Sequence, residues 1–412
     1  MKGGRGGRDR LVKRQYEDFP YPPRNPLDEK KRLITGSPSH LDELNHYIFA
    51  GARDFSAPFS ALVAGGGTGD AAIMLAQQLA DRGLAGQVTY LDLSAASRRI
   101  AEARAEARGL KNITFLSGSL LDLPSMGIGP FDYIDCCGVL HHLEEPEAGL
   151  AALAAVLQDG GGMGLMVYAT LGRTGVYPVQ EALKMLAGDA PTGEQVKVAK
   201  HLLRDLSPGH WLKRNPVLGD HKLDDDAALY DLLLHPRDRS YLVGELFDLL
   251  ATAEMELLGF IEPVRYEPEL YLKEPELRKR ARNLSPEARA ALAENLAGTL
   301  KTHSFYTRKI GGSAPGVAAF DPDMIPFLRD GNPAPLAAAL AGRETLTVPF
   351  DGQPIEIAVP EGSADFVRQL DGTRRLRDIQ TAFSLSWPNF RARFAPVYKM
   401  LNGLNLLWLR KF

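Results

Sequence analysis

The 412-residue chain has only two cysteines, Cys136 and Cys137, and they are neighbours inside an apolar run. Adjacent cysteines cannot staple distant segments, which excludes a disulfide framework and makes a reducing cytoplasm the expected compartment. Long hydrophobic runs are missing too: AGLAALAAVL at 148–157 is the longest, well short of the roughly 20 residues of a membrane span. The N-terminal MKGGRGGRDRLVKRQYEDF is basic but has no apolar stretch behind it, so it does not read as a secretory signal. Nor does one sign of charge dominate. Lys and Arg number 48 against 51 Asp and Glu, a net charge of -3, so neither nucleic acid nor an anionic membrane is an expected partner. Internal repeats and low-complexity tracts are absent.

What remains is the composition of a soluble globular protein, with 45% hydrophobic and 24% charged residues. At roughly 150 residues per domain, the length predicts two or three domains. From 58 to 168, five short apolar runs alternate with helical patterns: ALVA (61–64), VTYL (88–91), ITFL (113–116), DYIDCC (132–137) and MGLMVY (163–168). Apolar runs without polar alternation are how strands buried on both faces of a parallel sheet read. Between them, 70–82, 95–108 and 145–157 carry apolar residues at helical spacing, closed by Gly83, Gly109 and Gly160 to Gly162. The expectation is a doubly wound α/β sheet with right-handed crossovers. The alternation stops after Tyr168. Residues 171–238 read as a helical insertion, 241–255 as a helix, 257–266 as a strand, 274–299 as helices and 302–309 as a final strand. The Gly/Pro/Ala-rich 311–335 reads as a linker to an accessory domain over 336–412, with a hairpin turning at Asp351–Gly352.

The segment LVAGGGTGD (62–70) places glycines between the first strand and a helix start, at the carboxyl end of the sheet where ligands of open α/β sheets bind. A dinucleotide fingerprint would need glycine at position 70, but Asp70 stands there, and its charge would face a pyrophosphate. The pattern is instead G-x-G-x-G, with Gly65, Gly67 and Gly69.

LVAGGGTGD, the acidic strand end TYLDLS and FDYIDCCGVLHHLEEP, in that order, resemble a class I S-adenosylmethionine-dependent methyltransferase over about 58–168 and, less distinctly, 241–309. The resemblance implies a Rossmann-like, mostly parallel seven-stranded sheet over 51–310, with S-adenosyl-L-methionine as cofactor and S-adenosyl-L-homocysteine as product. It implies that Gly65, Gly66 and Gly67 approach the cofactor's amino-acid end, and that Asp92, followed by Leu93, accepts from both ribose hydroxyls. A carboxylate suits that role because two acceptor oxygens match a vicinal diol. Many relatives carry Asp after the glycine of GSLLDLP (118–124), whereas this chain has Ser119. Ser119 with Leu120 is then expected to meet the adenine, with Asp122 as a second candidate, and Gly138 and Val139 to flank the sulfonium methyl.

Methyl transfer needs a base only if the nucleophile must lose a proton. His141 and His142 sit where the family places substrate-facing residues, and an imidazole titrates in the right range. One ring of such a pair commonly serves structure alone. No metal site is expected, because the positions where metal-dependent quinone O-methyltransferases carry carboxylates are Gly138 and His141 here. Substrate contacts are expected from Arg173, Tyr177 and Gln180 after the fifth strand, and from His235 and Tyr241 in DLLLHPRDRSY (231–241). Asp231 and His235 share one helix face at i,i+4, beside Arg237 and Arg239, an arrangement an ordinary solvated cluster also produces. His210 and Trp211 are weaker candidates. The segment QYEDFPYPPRNP (15–26), within an N-terminal extension over 1–50, joins Tyr16, Phe19 and Tyr21 to prolines and is expected either to cover the cofactor as a lid or to pack on the sheet edge.

Beyond 363 the chain weakly resembles the small winged-helix-like peptide-binding modules of peptide-modifying enzymes, on FVRQLDGTRRLRDI, with Arg368, Arg374, Arg375, Arg377, Arg391 and Arg393 clustered there. The leading expectation is a small-molecule methyl acceptor, taken through an O, N or S nucleophile. The alternatives are a peptide or protein acceptor presented by that module, and a cofactor-binding assembly or regulatory protein without catalysis.

Overall fold

The computed structural model describes residues 8–222 and 225–411. Seven strands form the main sheet: β1 (Phe59–Ala64), β2 (Gly86–Asp92), β3 (Ile113–Ser117), β4 (Phe131–Cys137), β5 (Leu157–Tyr168), β6 (Met255–Phe260) and β7 (Thr302–Lys309). Their order is β3-β2-β1-β4-β5-β7-β6. The first five pair in parallel, and β7 runs antiparallel to both β5 and β6. Strand order reverses between β1 and β4, so the crevice at their carboxyl ends is where a ligand is expected.

Alternate residues of β1 serve two cores. Leu62 and Ala64 face one that includes Leu91, Ile134 and Leu165, whereas Ala61 and Val63 face another with Val88, Tyr90 and Tyr133. Period-two side chains buried on both faces explain why these strands read as continuous apolar runs. Helices α1 (Arg8–Asp18) and α2 (Leu41–Tyr47) precede the sheet, and α3 (Asp70–Asp81), α4 (Ala95–Arg108) and α5 (Pro146–Val156) fill the crossovers.

The boundary of β5 differs from expectation. Gly160 to Gly162 lie within the strand instead of closing the preceding helix. A Cβ on Gly162 would stand 2.7 Å from Ile48, so this glycine lets the C-cap of α2 pack directly on the strand. The strand expected over 257–266 ends at Phe260, because Glu262 turns left-handed (φ 56°) and Pro263, which has no N–H for a ladder, opens a 3₁₀ turn.

The expected helical insertion comprises α6 (Val176–Ala187), α7 (Thr192–Asp205), α8 (Trp211–Arg214) and α9 (Asp226–Leu233). It has its own core of Val179, Leu183, Val196, Leu229 and Leu233. Phe19 packs on that core and stacks on Tyr230 at 5.4 Å. Helices α10 (Val243–Thr252), α11 (Pro275–Arg282) and α12 (Pro286–Ala297) complete the sheet domain.

The stretch expected as a linker carries a strand, β8 (Ile325–Leu328), and the start of α13 (Pro333–Leu340). A four-residue edge strand reads as linker because its partner, β11 (Leu407–Arg410), lies far along the chain. The hairpin of β9 (Thr345–Phe350) and β10 (Gln353–Ala358) turns where expected, with Asp351 and Gly352 at φ 48° and 78°. Together with α14 (Ser363–Val367), α15 (Leu376–Ala382) and α16 (Trp387–Gly403), these elements enclose a separate core around Phe366, Phe390 and Phe394. Among the described residues, no helix is long and apolar enough to cross a membrane.

Candidate functional site

The turn from β1 into α3 needs its glycines. Gly65, Gly67 and Gly69 have φ of 72°, 52° and 101°, conformations that a side chain strains. A Cβ on Gly65 would come within 2.3 Å of Val139, so the loop after β4 closes directly onto this turn. At the end of β2, Asp92 accepts from the Gly67 amide at 2.8 Å through Oδ2 and from the Ser94 amide at 2.7 Å through Oδ1. Each oxygen keeps a lone pair, the pair of acceptors that the two donating hydroxyls of a ribose diol require. Burial pushes the Asp92 carboxyl up, against the amides that favour its charge. Ser119 is partly buried and caps the 3₁₀ turn beginning at Leu120, whereas Asp122 lies exposed.

The N-terminal segment crosses this crevice. The Thr68 hydroxyl donates to the Pro22 carbonyl at 2.7 Å, the Ser94 hydroxyl donates to the Tyr16 carbonyl at 2.9 Å, and Glu17 accepts from the Ala95 amide. Asp70 points away from the glycine turn. Its carboxylate receives Arg24 and Arg104, and Arg104, almost wholly buried, also pairs with Glu29. This chain of charges pins the segment to α3 and α4. No sequence pattern announces it, because its members lie far apart in the chain.

Beyond the crevice, residues from four regions meet. His141 and His142 follow β4, Tyr168 ends β5, Asp231 and His235 lie on and just after α9, and Tyr16 comes from α1. The His142 and His235 rings stack at 3.7 Å. Backbone geometry sets their tautomers. His142 Nδ1 lies 2.8 Å from the Arg237 carbonyl, which only accepts, so Nδ1 carries the proton and Nε2 keeps its lone pair. The Arg237 amide donates to His235 Nδ1 at 3.1 Å, which places the His235 proton on Nε2. Asp231 accepts from the Tyr168 hydroxyl at 2.9 Å and from the Tyr16 hydroxyl at 3.4 Å, and His235 Nε2 lies 3.4 Å from the same Tyr16 oxygen. Burial lowers the pKa of all three imidazoles, so they are neutral at pH 7.

His142, Asp231 and His235 have ligand atoms within 4.8 Å of one another, and by distance alone they could hold a metal ion. The Arg237 amide argues otherwise, since it leaves the His235 proton on the inward nitrogen. His141 is fully buried against Tyr168 at 3.9 Å, and among the described residues neither of its ring nitrogens has a hydrogen-bond partner.

Arg173 and Gln180 lie in this neighbourhood but both engage Asp238, Arg173 through a buried ion pair at 2.5 Å and Gln180 through a hydrogen bond at 2.9 Å. Arg173 also stacks 3.8 Å over Tyr168. The Tyr177 and Tyr241 hydroxyls are buried, and that of Tyr177 lies by Arg173 and Ser240. His210 caps α8, and Trp211 is 61% exposed, so neither joins the cluster.

A seven-stranded sheet with an antiparallel β7, a glycine turn after β1 and a carboxylate ending β2 defines the class I S-adenosylmethionine-dependent methyltransferases. Comparison with known proteins agrees: residues 62–163 match the family model described as "Methyltransferase domain". An uncharacterized Synechococcus sp. protein, syc1184_c, is 30% identical over 299 residues, 71% of this chain and 69% of its own. A ubiquinone biosynthesis O-methyltransferase from Chromobacterium violaceum is 27% identical over 173 residues, 39% of this chain and 72% of its own. The fold is shared with PKMT2 from Rickettsia typhi, solved in complex with AdoHcy, at a TM-score of 0.62 and 13% identity, covering 90% of this chain and 76% of that one. The chain belongs to the class I methyltransferase family, and its cofactor is S-adenosylmethionine.

Proposed function

We propose that the protein methylates a hydroxyl oxygen of a small molecule, with His142 as the general base. The observation that carries this reading is the His142 tautomer, fixed at Nδ1 by the Arg237 carbonyl and leaving Nε2 free to accept a proton. A cavity of about 460 Å³ between α1, α6, α7 and α9 supports a small acceptor. Leu183, Tyr230, Leu233 and Leu234 supply apolar walls, Gln180 and Gln195 supply polar points, and His235, stacked on His142, belongs to the lining. The likeness to an O-methyltransferase over 173 residues favours oxygen among the candidate nucleophiles.

The cofactor supplies a methyl group on a positively charged sulfur. Gly65 to Gly67, Asp92, Leu93, Ser119, Leu120, Gly138 and Val139 are the residues proposed to hold it. The chain's remaining work is alignment and proton removal. With the cofactor held there, the acceptor O–H bond would break with its proton passing to His142 Nε2, the O–CH₃ bond would form as the S–CH₃ bond breaks, the electron pair would stay on the sulfur of the departing S-adenosylhomocysteine, and His142 would later return the proton to solvent. His141, enclosed and without a polar partner, shapes the site without taking the proton.

The test is transfer of labelled methyl from S-adenosylmethionine into a panel of hydroxylated small molecules. His142→Gln should lower the rate by about 10²- to 10⁴-fold, the usual contribution of a general base. Label found only in protein would sink the proposal.

That outcome would favour a second reading, a peptide acceptor presented by the C-terminal domain. An exposed groove of about 710 Å³ on α16, lined by Trp387, Pro388, Arg391, Pro396 and Lys399, is the observation behind it.

A further inference from the structure

Helix α9 places Asp231 beside the base, helix α1 sends Tyr16 to Asp231 and His235, and neither helix belongs to the methyltransferase sheet. Asp231 differs from its neighbour Asp238 in how its charge is met. Asp238 is neutralised by Arg173, whereas among the described residues no Lys or Arg forms an ion pair with Asp231. Its carboxylate is 6% exposed and held by two phenol hydroxyls, from Tyr168 and Tyr16. Burial raises the pKa of the Asp231 carboxyl, and the positive groups that oppose this are His142 and Arg173, the latter already paired with Asp238. The group within reach that becomes positive during turnover is His142, whose ligand atom lies within 4.8 Å.

We propose that Asp231 is a positioning residue whose charge stabilises the imidazolium formed on His142, and that Tyr16 holds it there, so the acceptor site is complete only with α1 docked. The inference rests on His142 being the base. The donors run in one direction: His235 Nε2–H to the Tyr16 oxygen, the Tyr16 hydroxyl to one Asp231 oxygen, and the Tyr168 hydroxyl to the other. Both Asp231 oxygens therefore act as acceptors, which favours the charged form against the burial that raises its pKa.

The groups that face His142 act in both senses. Asp231 and Asp238 favour its protonated form, as does the Arg237 carbonyl, while burial and Arg173 oppose it. The rings of His141, His235 and Tyr168 complete its surroundings without fixed charge. Asp238 is already committed to Arg173, so Asp231 is the larger adjustable contribution. Its docking through Tyr16 also ties the base to the cofactor crevice, because the backbone of Tyr16 accepts from Ser94, two residues after Asp92.

The test uses the full chain with ¹⁵N-labelled histidine, saturated with S-adenosylhomocysteine, and follows the His142 ring by NMR across pH, with His142→Gln assigning its signal. The wild type should show His142 protonated at Nδ1 and His235 at Nε2. Asp231→Asn, nearly isosteric, should lower the His142 titration midpoint by about one pH unit or more, the usual effect of an opposite charge within 4–6 Å. Tyr16→Phe should shift it the same way by less. An unmoved midpoint in Asp231→Asn, or the same tautomer on both rings, would overturn the proposal. If Asp231→Asn does not fold, Tyr16→Phe and Tyr168→Phe carry the test, and no shift in either refutes it. Failure of the wild type to bind S-adenosylhomocysteine would be a failure of the cofactor site instead, and the same titration on the free protein would still decide the role of Asp231.

Discussion

Replacing Asp92 by Asn should nearly abolish stabilisation by S-adenosylhomocysteine. The carboxylate accepts one backbone amide on each oxygen and has a lone pair to spare on each. Hydrogen bonds to a charged group contribute roughly 1.5–3 kcal/mol apiece, so losing the pair to a ribose diol costs about 3 kcal/mol at the low end. That corresponds to about 150-fold in Kd. Ligand at 100 times the wild-type Kd adds about 2.7 kcal/mol to unfolding free energy, and at the same concentration the variant should gain only about 0.3 kcal/mol. Thermal unfolding with and without ligand, paired with calorimetric titration, measures both numbers. Asn keeps the shape, so the unliganded variant should remain folded, but one oxygen becomes a donor and the charge behind both ribose bonds is gone, which removes the pair's contribution. A variant that keeps the full ligand-induced gain would show that Asp92 does not hold the ribose.

Three further outcomes are expected. Glu29→Gln breaks a nearly fully buried ion pair with Arg104 and should cost about 3 kcal/mol in urea unfolding; a loss below about 1 kcal/mol would mean that the Arg104 contacts to Asp70 and Thr68 suffice. Gly67→Ala places a Cβ 2.8 Å from the Tyr21 carbonyl at φ 52°, so it should loosen the N-terminal segment and speed proteolysis there, and unchanged cleavage would count against a docked segment. Glu43 is fully buried, and burial raises its pKa from 4.5 to about 7. The native carboxyl therefore keeps its proton across a window where the unfolded one has lost it, so stability should fall as pH rises from 4.5 to about 7 and level off above. Glu43→Gln should flatten that part of the profile, and an unchanged slope would assign it to another group.

Much of the sheet domain was legible because its signals are local. Strands buried on both faces must be apolar throughout, so the runs around Leu62, Val88, Ile134 and Leu165 stand out, whereas the run around Phe115 is an edge strand with no fully buried residue. The glycine turn and Asp92 are legible for a related reason: backbone at positive φ and an acceptor at a strand end restrict residue type position by position. Element ends were less so. The start of β5 depends on how closely α2 approaches Gly162, and the end of β6 on the reversal at Glu262, neither of which periodicity records.

Of the residues around the base, His141, His142, Asp231, His235 and Tyr16 were named from sequence as separate candidates, Tyr168 was read only as a strand end, and the tertiary structure made them one cluster. Asp231 and His235 resemble any solvated i,i+4 pair until α9 folds against the loop after β4, and Tyr16 resembles an ordinary aromatic until α1 lies across the crevice. The tautomers of His142 and His235 depend on two backbone atoms of Arg237, whose side chain has no part in setting them. Sequence alone determined the sheet and its glycine turn, since burial and backbone conformation constrain each residue where it stands. The polar network was decided by packing, because a hydrogen bond between Tyr16 and Asp231 spans 215 residues and leaves no periodic trace in either segment.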